Sequence, residues 1–303
     1  MISIVAQGSS FTVGIQKESS YGVSPSPANL TAVPNNSFSI NTTRSEILSE
    51  EMGTGHRNFV QMGNESIAGD ITVEFSANVF DTLLEGVMQS TFSSGTLKHG
   101  TGLVGHHIEA RYNDTTDYRL FKGCLFNQLE MSYELDGLVT ATFGIMGREE
   151  VLSGTSFDAS LTTPSATPKF NGLNASFTYG GTAIKPMSAS FTVNNNIQQD
   201  FVLGSKLLEA MGKGFIDVTG SFEVLLTDTS LLSSFKTDAE AELVITLDNG
   251  VSDIYEFTFP KTKLTEASTT ASGLASQRLA CSFRATYDSV SASTLTITKE
   301  AQA

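Results

Sequence analysis

The chain has 303 residues and a net charge of −14, with 32 acidic and 18 basic residues. Hydrophobic residues make up 40% of the sequence, a level that suits a globular protein with a real core. The acidic balance argues against a protein that grips nucleic acid, because such proteins neutralise phosphates with lysine and arginine.

The N-terminal segment, MISIVAQGSSF, lacks the basic start and the long apolar centre of a signal peptide. No stretch approaches the roughly 20 apolar residues that a transmembrane helix requires. We therefore expect a protein that is made and assembled in the cytoplasm. The first 36 residues include the irregular stretch YGVSPSPANLTAVPNN, which predicts an N-terminal arm over 1–36.

Alternation of apolar and polar residues, with Thr, Ser, Val and Phe prominent, predicts half-buried β-strands along the whole chain. The predicted strands lie at 10–15, 37–41, 70–75, 107–112, 128–135, 139–146, 187–194, 220–226, 241–248, 254–260 and 279–287. Turn residues separate them, a pattern that is typical of a sandwich or barrel. The predicted fold class is therefore mainly β.

Helical patterns are scarce. The clearest one, NVFDTLLEGVMQ (78–89), places Leu83, Leu84 and Val87 on one apolar stripe and predicts a short helix. A second candidate helix is LGSKLLEAMGKG (203–214), which glycines close.

The two halves of the sequence resemble each other in order and spacing, which indicates an internal duplication. SFSIN (37–41) matches SFTVN (190–194), and AGDITVEF (68–75) matches TGSFEVLL (219–226). Further along, Leu83-Leu84 corresponds to Leu231-Leu232, Tyr118 to Tyr255 and Phe143 to Phe283. The predicted division is a first domain over 37–151, a linker rich in Ser, Thr and Pro over 152–186, and a second domain over 187–303.

Motifs for chemistry are weak. GTGLVG (100–105) spells G-x-G-x-x-G, but a strand pattern follows it where a dinucleotide site needs a helix. His106 and His107 are adjacent and would point to opposite faces of a strand, so we expect loop or surface histidines and no metal site. Cys124 and Cys281 are predicted to be buried free thiols. The sequence predicts neither an enzyme nor a cofactor.

Two long loops carry apolar residues that have no place in a predicted strand. The first, inside 37–75, holds Ile47, Leu48, Phe59 and Val60, and its counterpart near 195–218 holds Phe201, Val202, Leu207 and Leu208. Such residues need a partner surface, and long loops in compact β domains are usually functional or disordered. We expect them to contact neighbouring subunits.

The order of these segments resembles that of siphophage tail tube proteins. The resemblance rests on GIQKESSYGVSP, SFSIN, a long loop ending in Arg57, GDITVEF, FDTLL, and then DYRLFKGCLFNQLEMSYELDGLVTATFGIMGRE. It covers most of the first 150 residues, and the second half through the duplication.

The resemblance implies two tandem β-sandwich or barrel-forming domains, each with a short flanking helix, in a virion structural protein. It implies rings that stack into a tube and, for a duplicated chain, a homotrimer with pseudo-sixfold symmetry. The inter-subunit loop residues would then be Ile47, Leu48, Arg57, Phe59, Phe201, Leu207 and Leu208. The expected partners are a tape-measure protein in the lumen and the tail-terminator and distal tail proteins, while DNA passes without specific binding and no membrane is involved.

A tube of this kind would have an acidic channel wall that repels DNA. Alternation predicts that Glu74, Glu130, Glu134 and Glu223 face this lumen. Alternatives are another β-rich virion protein, such as a tail terminator or decoration protein, a secreted β-sandwich binding module, and a hydrolase on a sandwich. A secreted module would want a signal peptide and exposed aromatic platforms, yet the sequence contains no Trp.

Overall fold

The structure is a computed structural model that describes residues 5–50, 53, 55–251, 253–270 and 276–301. Antiparallel strands dominate it, which confirms the predicted mainly β fold class. The strands are β1 (Phe11–Lys17), β2 (Thr31–Ala32), β3 (Ser37–Phe38), β4 (Asn41–Leu48), β5 (Val60–Glu74), β6 (Thr96–Lys98), β7 (His106–Tyr112), β8 (Asp117–Glu134), β9 (Thr140–Gly147), β10 (Glu149–Ser153), β11 (Ala175–Tyr179), β12 (Thr182–Ile184), β13 (Pro186–Asn194), β14 (Gln198–Asp200), β15 (Ala210–Gly212), β16 (Asp217–Leu225), β17 (Ala241–Asp248), β18 (Asp253–Thr270), β19 (Arg278–Ala285) and β20 (Thr296–Ala301).

In the part of the chain that the structure describes, two α-helices accompany the strands, α1 (Asp81–Met88) and α2 (Ser230–Lys236). The first is the predicted helix, and Leu83, Leu84 and Val87 of its apolar stripe are buried. The candidate helix at 203–214 is wrong, because that segment is a loop containing the short strand β15. Gly204 takes a left-handed backbone conformation there (φ 87°), and an apolar cluster elsewhere in the chain takes up Leu208, so tertiary contacts override the local helical pattern.

Eight strands form one continuous sheet, here called the long sheet. Its order is β4, β5, β9, β8, β13, β16, β19 and β18, with β3 continuing the β4 edge. The first four strands come from the first half of the chain and the last four from the second half. Among the described residues the long sheet does not close on itself, so β3–β4 and the C-terminal part of β18 are its two free edges.

Two shorter sheets cover one face of the long sheet. The first contains β2, β1, β7, β8 and β10, and the second contains β12, β11, β17, β18, β20 and β6. The strands β8 and β18 are each 18 residues long and pass from a shorter sheet into the long sheet. The hydrophobic core lies between the sheets and is continuous across both halves.

The strand pairings of the first half recur in the second half. β1–β7, β7–β8, β8–β10, β8–β9 and β5–β9 correspond to β11–β17, β17–β18, β18–β20, β18–β19 and β16–β19. Irregularities recur as well. Between Phe126 and Gln128 the register of β8 with β9 shifts, and it shifts between Leu264 and Glu266 in β18 with β19.

The predicted residue matches identify corresponding strands but miss the register in three places. Phe143 lies opposite Ile71, whereas Phe283 lies opposite Gly220, so the residue that corresponds to Phe143 is Cys281. SFSIN and SFTVN are likewise displaced by two residues in their pairing with the next strand. Tyr118 and Tyr255 are one residue apart when β8 is aligned with β18 by strand register, so they face opposite sides, and only Tyr255 is fully buried.

Two segments that the sequence assigned to arms contain strands. β1, which the alternation predicted as a strand at 10–15, lies within 1–36 and pairs along its whole length with β7. The 152–186 segment contains β11 and β12, which extend the second short sheet, and its Phe170 is fully buried in the core. Proline- and serine-rich composition marks irregular connections between these strands, but it does not show where pairing begins.

Helix α1 packs closely against the Phe126 ring of β8 at Gly86. A Cβ built there would lie 2.3 Å from the Phe126 ring. We predict that Gly86→Ala lowers the free energy of unfolding by about 1–3 kcal/mol, although alanine is the better helix former. Chemical denaturation measures the effect. The control is Ser234→Ala at the corresponding position of α2, which should stay within about 0.5 kcal/mol of the parent protein; a stabilised Gly86→Ala protein would contradict the prediction.

Candidate functional site

The face of the long sheet that the shorter sheets leave uncovered is here called the open face. All four predicted lumen acids lie on it. Glu74 is opposite Thr140, which is opposite Ser132, and Glu130 is opposite Thr142. Glu134 and Glu223 both lie opposite Ser188 of β13. Alternation along each strand therefore brings these carboxylates to a single surface.

Hydroxyl side chains fill most of the remaining open face. They are Thr72, Thr140, Thr142, Ser132, Ser188, Ser190, Thr192, Thr219, Ser221 and Ser282. Short polar side chains keep this surface hydrated. The opposite faces of the same strands carry buried residues such as Leu129, Met131 and Phe191.

Charge on the open face differs between the two halves. Arg278 lies 3.1 Å from Glu223, and Arg284 lies 2.6 Å from Asp217, so cations balance these acids in the second half. In the first half, Glu74 forms an ion pair with Lys169, which reaches it from the segment after β10. Glu130 and Glu134 are exposed and take part in none of the ion pairs found among the described residues. Asp70 of β5 and Glu266 of β18 are also exposed on this face, and neither has an ion pair among the described residues. The unpaired acids of the face therefore lie on β5, β8 and β18, and two of them are on β8.

The hairpin of β4 and β5 projects from the end of the long sheet. Its strands stay paired as far as Leu48 opposite Val60. Ile47, Phe59 and Val60 are 52%, 53% and 60% exposed, and Arg57 is exposed as well. Exposed apolar side chains at the end of a long hairpin indicate a surface that a partner covers.

The corresponding loop of the second half packs within its own chain. Leu208 is buried in a small cluster with Leu125, Ile197 and Met211, and Phe201 packs against that cluster. Leu125 belongs to the first half, so this loop bridges the two halves. The Nε of Arg148 donates a hydrogen bond to the Leu208 carbonyl at 3.2 Å. Leu208 and Phe201 thus already have intrachain partners, and Leu207 is half-buried beside them.

Both adjacent histidines are buried in β7, so the expectation of loop or surface positions is wrong for them. His106 contacts the Phe126 ring at 5.1 Å between centroids, and burial lowers its pKa to about 4. The Nδ1 of His107 lies 2.7 Å from a carboxylate oxygen of Glu18, and its Nε2 lies 3.1 Å from the hydroxyl of Ser24. This buried contact holds the connection after β1 against β7.

Glu18 is held as a structural carboxylate. Burial raises its pKa, but hydrogen bonds from His107 and from the Gly22 and Gly123 amides outweigh burial and lower it overall. Among the described residues, no three His, Cys, Asp or Glu side chains lie close enough together to hold a metal ion. GTGLVG (100–105) leads into β7 rather than into a helix. In the described part of the chain no helix has the length and apolar character needed to cross a membrane.

Comparison with known protein families identifies a match over most of the chain. The family described as phage tail tube protein matches residues 8–288, which is nearly the whole chain. No curated protein matches the chain.

A carboxylate introduced into the loop of β14 and β15 should affect stability differently from one introduced into the hairpin of β4 and β5. We predict that Leu208→Asp lowers the free energy of unfolding by about 3 kcal/mol or more, because it places an unpaired carboxylate in an apolar cluster. Leu48→Asp, at the exposed hairpin, should change it by no more than about 0.5 kcal/mol. Denaturant unfolding of the two monomeric variants checks this contrast, and equal losses of stability would refute it.

Proposed function

Because the chain belongs to the phage tail tube protein family, and is therefore a structural subunit of a phage tail, we propose that it closes its long sheet with other copies into rings that stack as the DNA-conducting tube. The observation that carries this proposal is the long sheet itself. Each half supplies four strands, and the sheet ends in two free edges. Sheets with free edges pair with further strands, and ring closure removes those edges.

We further propose that the ring contains three chains. The recurring strand pairings support a tandem duplication, with a first tube domain near 37–151 and a second near 187–303. Both domains then also take in the strands found in the preceding segments, β1 and β11. Three copies of an eight-stranded sheet supply about 24 strands, arranged as six similar units around a pseudo-sixfold axis.

In this arrangement the open face lines the channel. It has the properties that a DNA conduit needs, since hydroxyl groups keep it wet and unpaired carboxylates repel phosphates. Glu130 and Glu134 contribute to this repulsion together with Asp70 and Glu266, whereas Glu74 and Glu223 are paired with cations. The unpaired acids of the wall would therefore come from β5, β8 and β18 of each chain.

The exposed hairpin would contact a neighbouring copy through Ile47, Leu48 and Phe59, with Arg57 at its end. A tape-measure protein in the lumen and terminator and distal proteins at the tube ends complete the proposed set of partners. The chain would assemble in the host cytoplasm, become part of the virion and catalyse no reaction.

The ring stoichiometry is directly measurable. We predict that native mass spectrometry of isolated rings gives three times the chain mass of 32.3 kDa, and that tube cross-sections average with six similar units. Six chains per ring would contradict the proposal, because only half of each long sheet could then line the channel. Purified protein that forms neither rings nor tubes under electron microscopy would contradict self-assembly altogether.

Charge reversal on the open face tests its role in DNA passage. We predict that Glu130→Lys/Glu134→Lys tubes assemble normally but slow DNA ejection from phage particles, because the new ammonium groups attract phosphates. The effect should shrink as salt rises, since the Debye length is about 10 Å at 0.1 M. Glu242→Lys/Glu300→Lys on the shorter sheets is the matched control and should eject at the parent rate. Normal ejection by the Glu130→Lys/Glu134→Lys particles at low salt would show that the open face does not meet DNA.

A further inference from the structure

Within the long sheet, the two halves of the chain meet at one joint, formed by β8 and β13. We infer that the joint between two copies uses the same strand register but lacks the large apolar contact beneath it, so that chain-to-chain pairing is the weaker and reversible step of ring closure. This inference rests on the proposed function, since it requires rings. It assigns residue partners that neither the family match nor the sequence matches supply.

The joint between the halves is backed by large buried side chains. Met131 of β8 lies opposite Phe191 of β13, and Leu129 lies opposite Val193. All four are fully buried. The Tyr133 and Phe191 rings lie 6.2 Å apart and extend this contact. On the open face, Glu130 lies opposite Thr192 at the same joint.

The recurring register identifies the corresponding residues of β18. The shifts after Phe126 and after Leu264 occur at equivalent points of β8 and β18. Counting from these shifts, Leu129 corresponds to Ala267, Glu130 to Ser268 and Met131 to Thr269. Ser268 and Thr269 are exposed on the free edge.

The β3–β4 edge is matched to β13 through its neighbour strand. Gly69 and Gly220 occupy equivalent places, opposite Ile145 of β9 and Phe283 of β19. Phe191 lies opposite Gly220, and the pairing of β3 and β4 with β5 places Ile40 beside Gly69. Ile40 therefore corresponds to Phe191, Asn41 to Thr192 and Thr42 to Val193.

The joint between copies then has a defined set of opposed residues. Asn41 of one copy lies opposite Ser268 of the next on the open face. Beneath them, Ile40 lies opposite Thr269, and Thr42 lies opposite Ala267. In the joint between halves, both members of each pair are large apolar residues. In the joint between copies, only one member of each pair is apolar, and it is Ile40 or Ala267. The joint between copies therefore buries less apolar area than the joint between halves, so its pairing is stabilised by a smaller free energy.

The cavities beside the half-to-half joint and beside the β3–β4 edge differ in size, which supports a joint between copies at the β3–β4 edge. Beside the half-to-half joint, Ala175, Pro186, Met187, Ser188 and Ala189 line a cavity of only about 20 Å³, because Tyr133 and Glu134 of the first half fill it. The corresponding residues of the first half, Phe11, Asn35, Asn36, Ser37 and Phe38, line an open cavity of about 360 Å³. The strand that would fill this space corresponds to β8, which is β18 of a neighbouring copy.

Disulfide cross-linking tests the register. Asn41→Cys/Ser268→Cys should form covalent trimers on mild oxidation of tubes, as seen on denaturing gels. Glu130→Cys/Thr192→Cys, at the equivalent intrachain position, is the positive control and should cross-link within monomers. Ser39→Cys/Ser268→Cys, which the alignment of SFSIN with SFTVN would favour, should cross-link at least about tenfold more slowly. Burial raises the pKa of both native thiols, that of Cys281 to about 11, so the introduced cysteines react first.

Restoring the missing contact tests the weakness of the joint. Ala267→Leu/Thr269→Met should lower the protein concentration needed for half-maximal assembly by about tenfold or more, while tubes keep the parent diameter. Ala280→Leu/Ser282→Met adds similar apolar groups on the open face of β19 and should not promote regular tubes. Sedimentation measures assembly, and electron microscopy separates tubes from amorphous aggregates.

These experiments distinguish failure of the inferred joint from failure of the proposed tube function. If tubes of the Ser39→Cys/Ser268→Cys variant cross-link faster than tubes of the Asn41→Cys/Ser268→Cys variant, the inferred register is wrong but the tube function stands. An unchanged assembly concentration for Ala267→Leu/Thr269→Met, with cross-linking in the inferred register, would overturn the weak joint. Parent protein that forms no rings under any condition would overturn the proposed function itself.

Discussion

The backbone pairing of β8 with β13 is the interaction on which the rest of the structure depends. It joins four strands from each half into one sheet and places the acids of both halves on one face. On the face opposite the open face, the joint is packed with Leu129, Met131, Phe191 and Val193, so the two halves share a single core. Without this joint the long sheet would be two four-stranded sheets with four free edges, instead of one sheet with two.

Because the strand pairings recur within one chain, corresponding elements of the two halves can carry different residues. The loop of β14 and β15 packs on the first half of its own chain through Leu208, whereas the hairpin of β4 and β5 leaves Ile47 and Phe59 exposed. The open face diverges too, because Arg278 and Arg284 balance acids in the second half while Glu130 and Glu134 stand unpaired in the first. A single-domain subunit repeated six times could not separate these roles, since every copy of an element would carry the same residues.

The buried polar contacts serve the architecture. Glu18, His107 and Ser24 hold the connection after β1 against β7, and the amides of Gly22 and Gly123 satisfy the Glu18 carboxylate. A buried charge of this kind is tolerable because hydrogen bonds replace the water that it loses. The same segment was expected to be an irregular arm, and its proline-rich part indeed lies outside the strands.

The sequence by itself determined the class of fold, many of the strands and the face on which the acids lie. Alternation with period two is a local property, so Glu130 and Glu134 could be assigned to the polar side of β8 without a structure. It could not determine register, because an alternating pattern looks alike after a shift of two residues, and SFSIN matched SFTVN at the wrong step. Only the tertiary structure showed which acids are paired, that Leu208 lies in its own chain, and that 203–214 is not a helix. Each of these depends on residues far away in sequence, which local patterns do not contain.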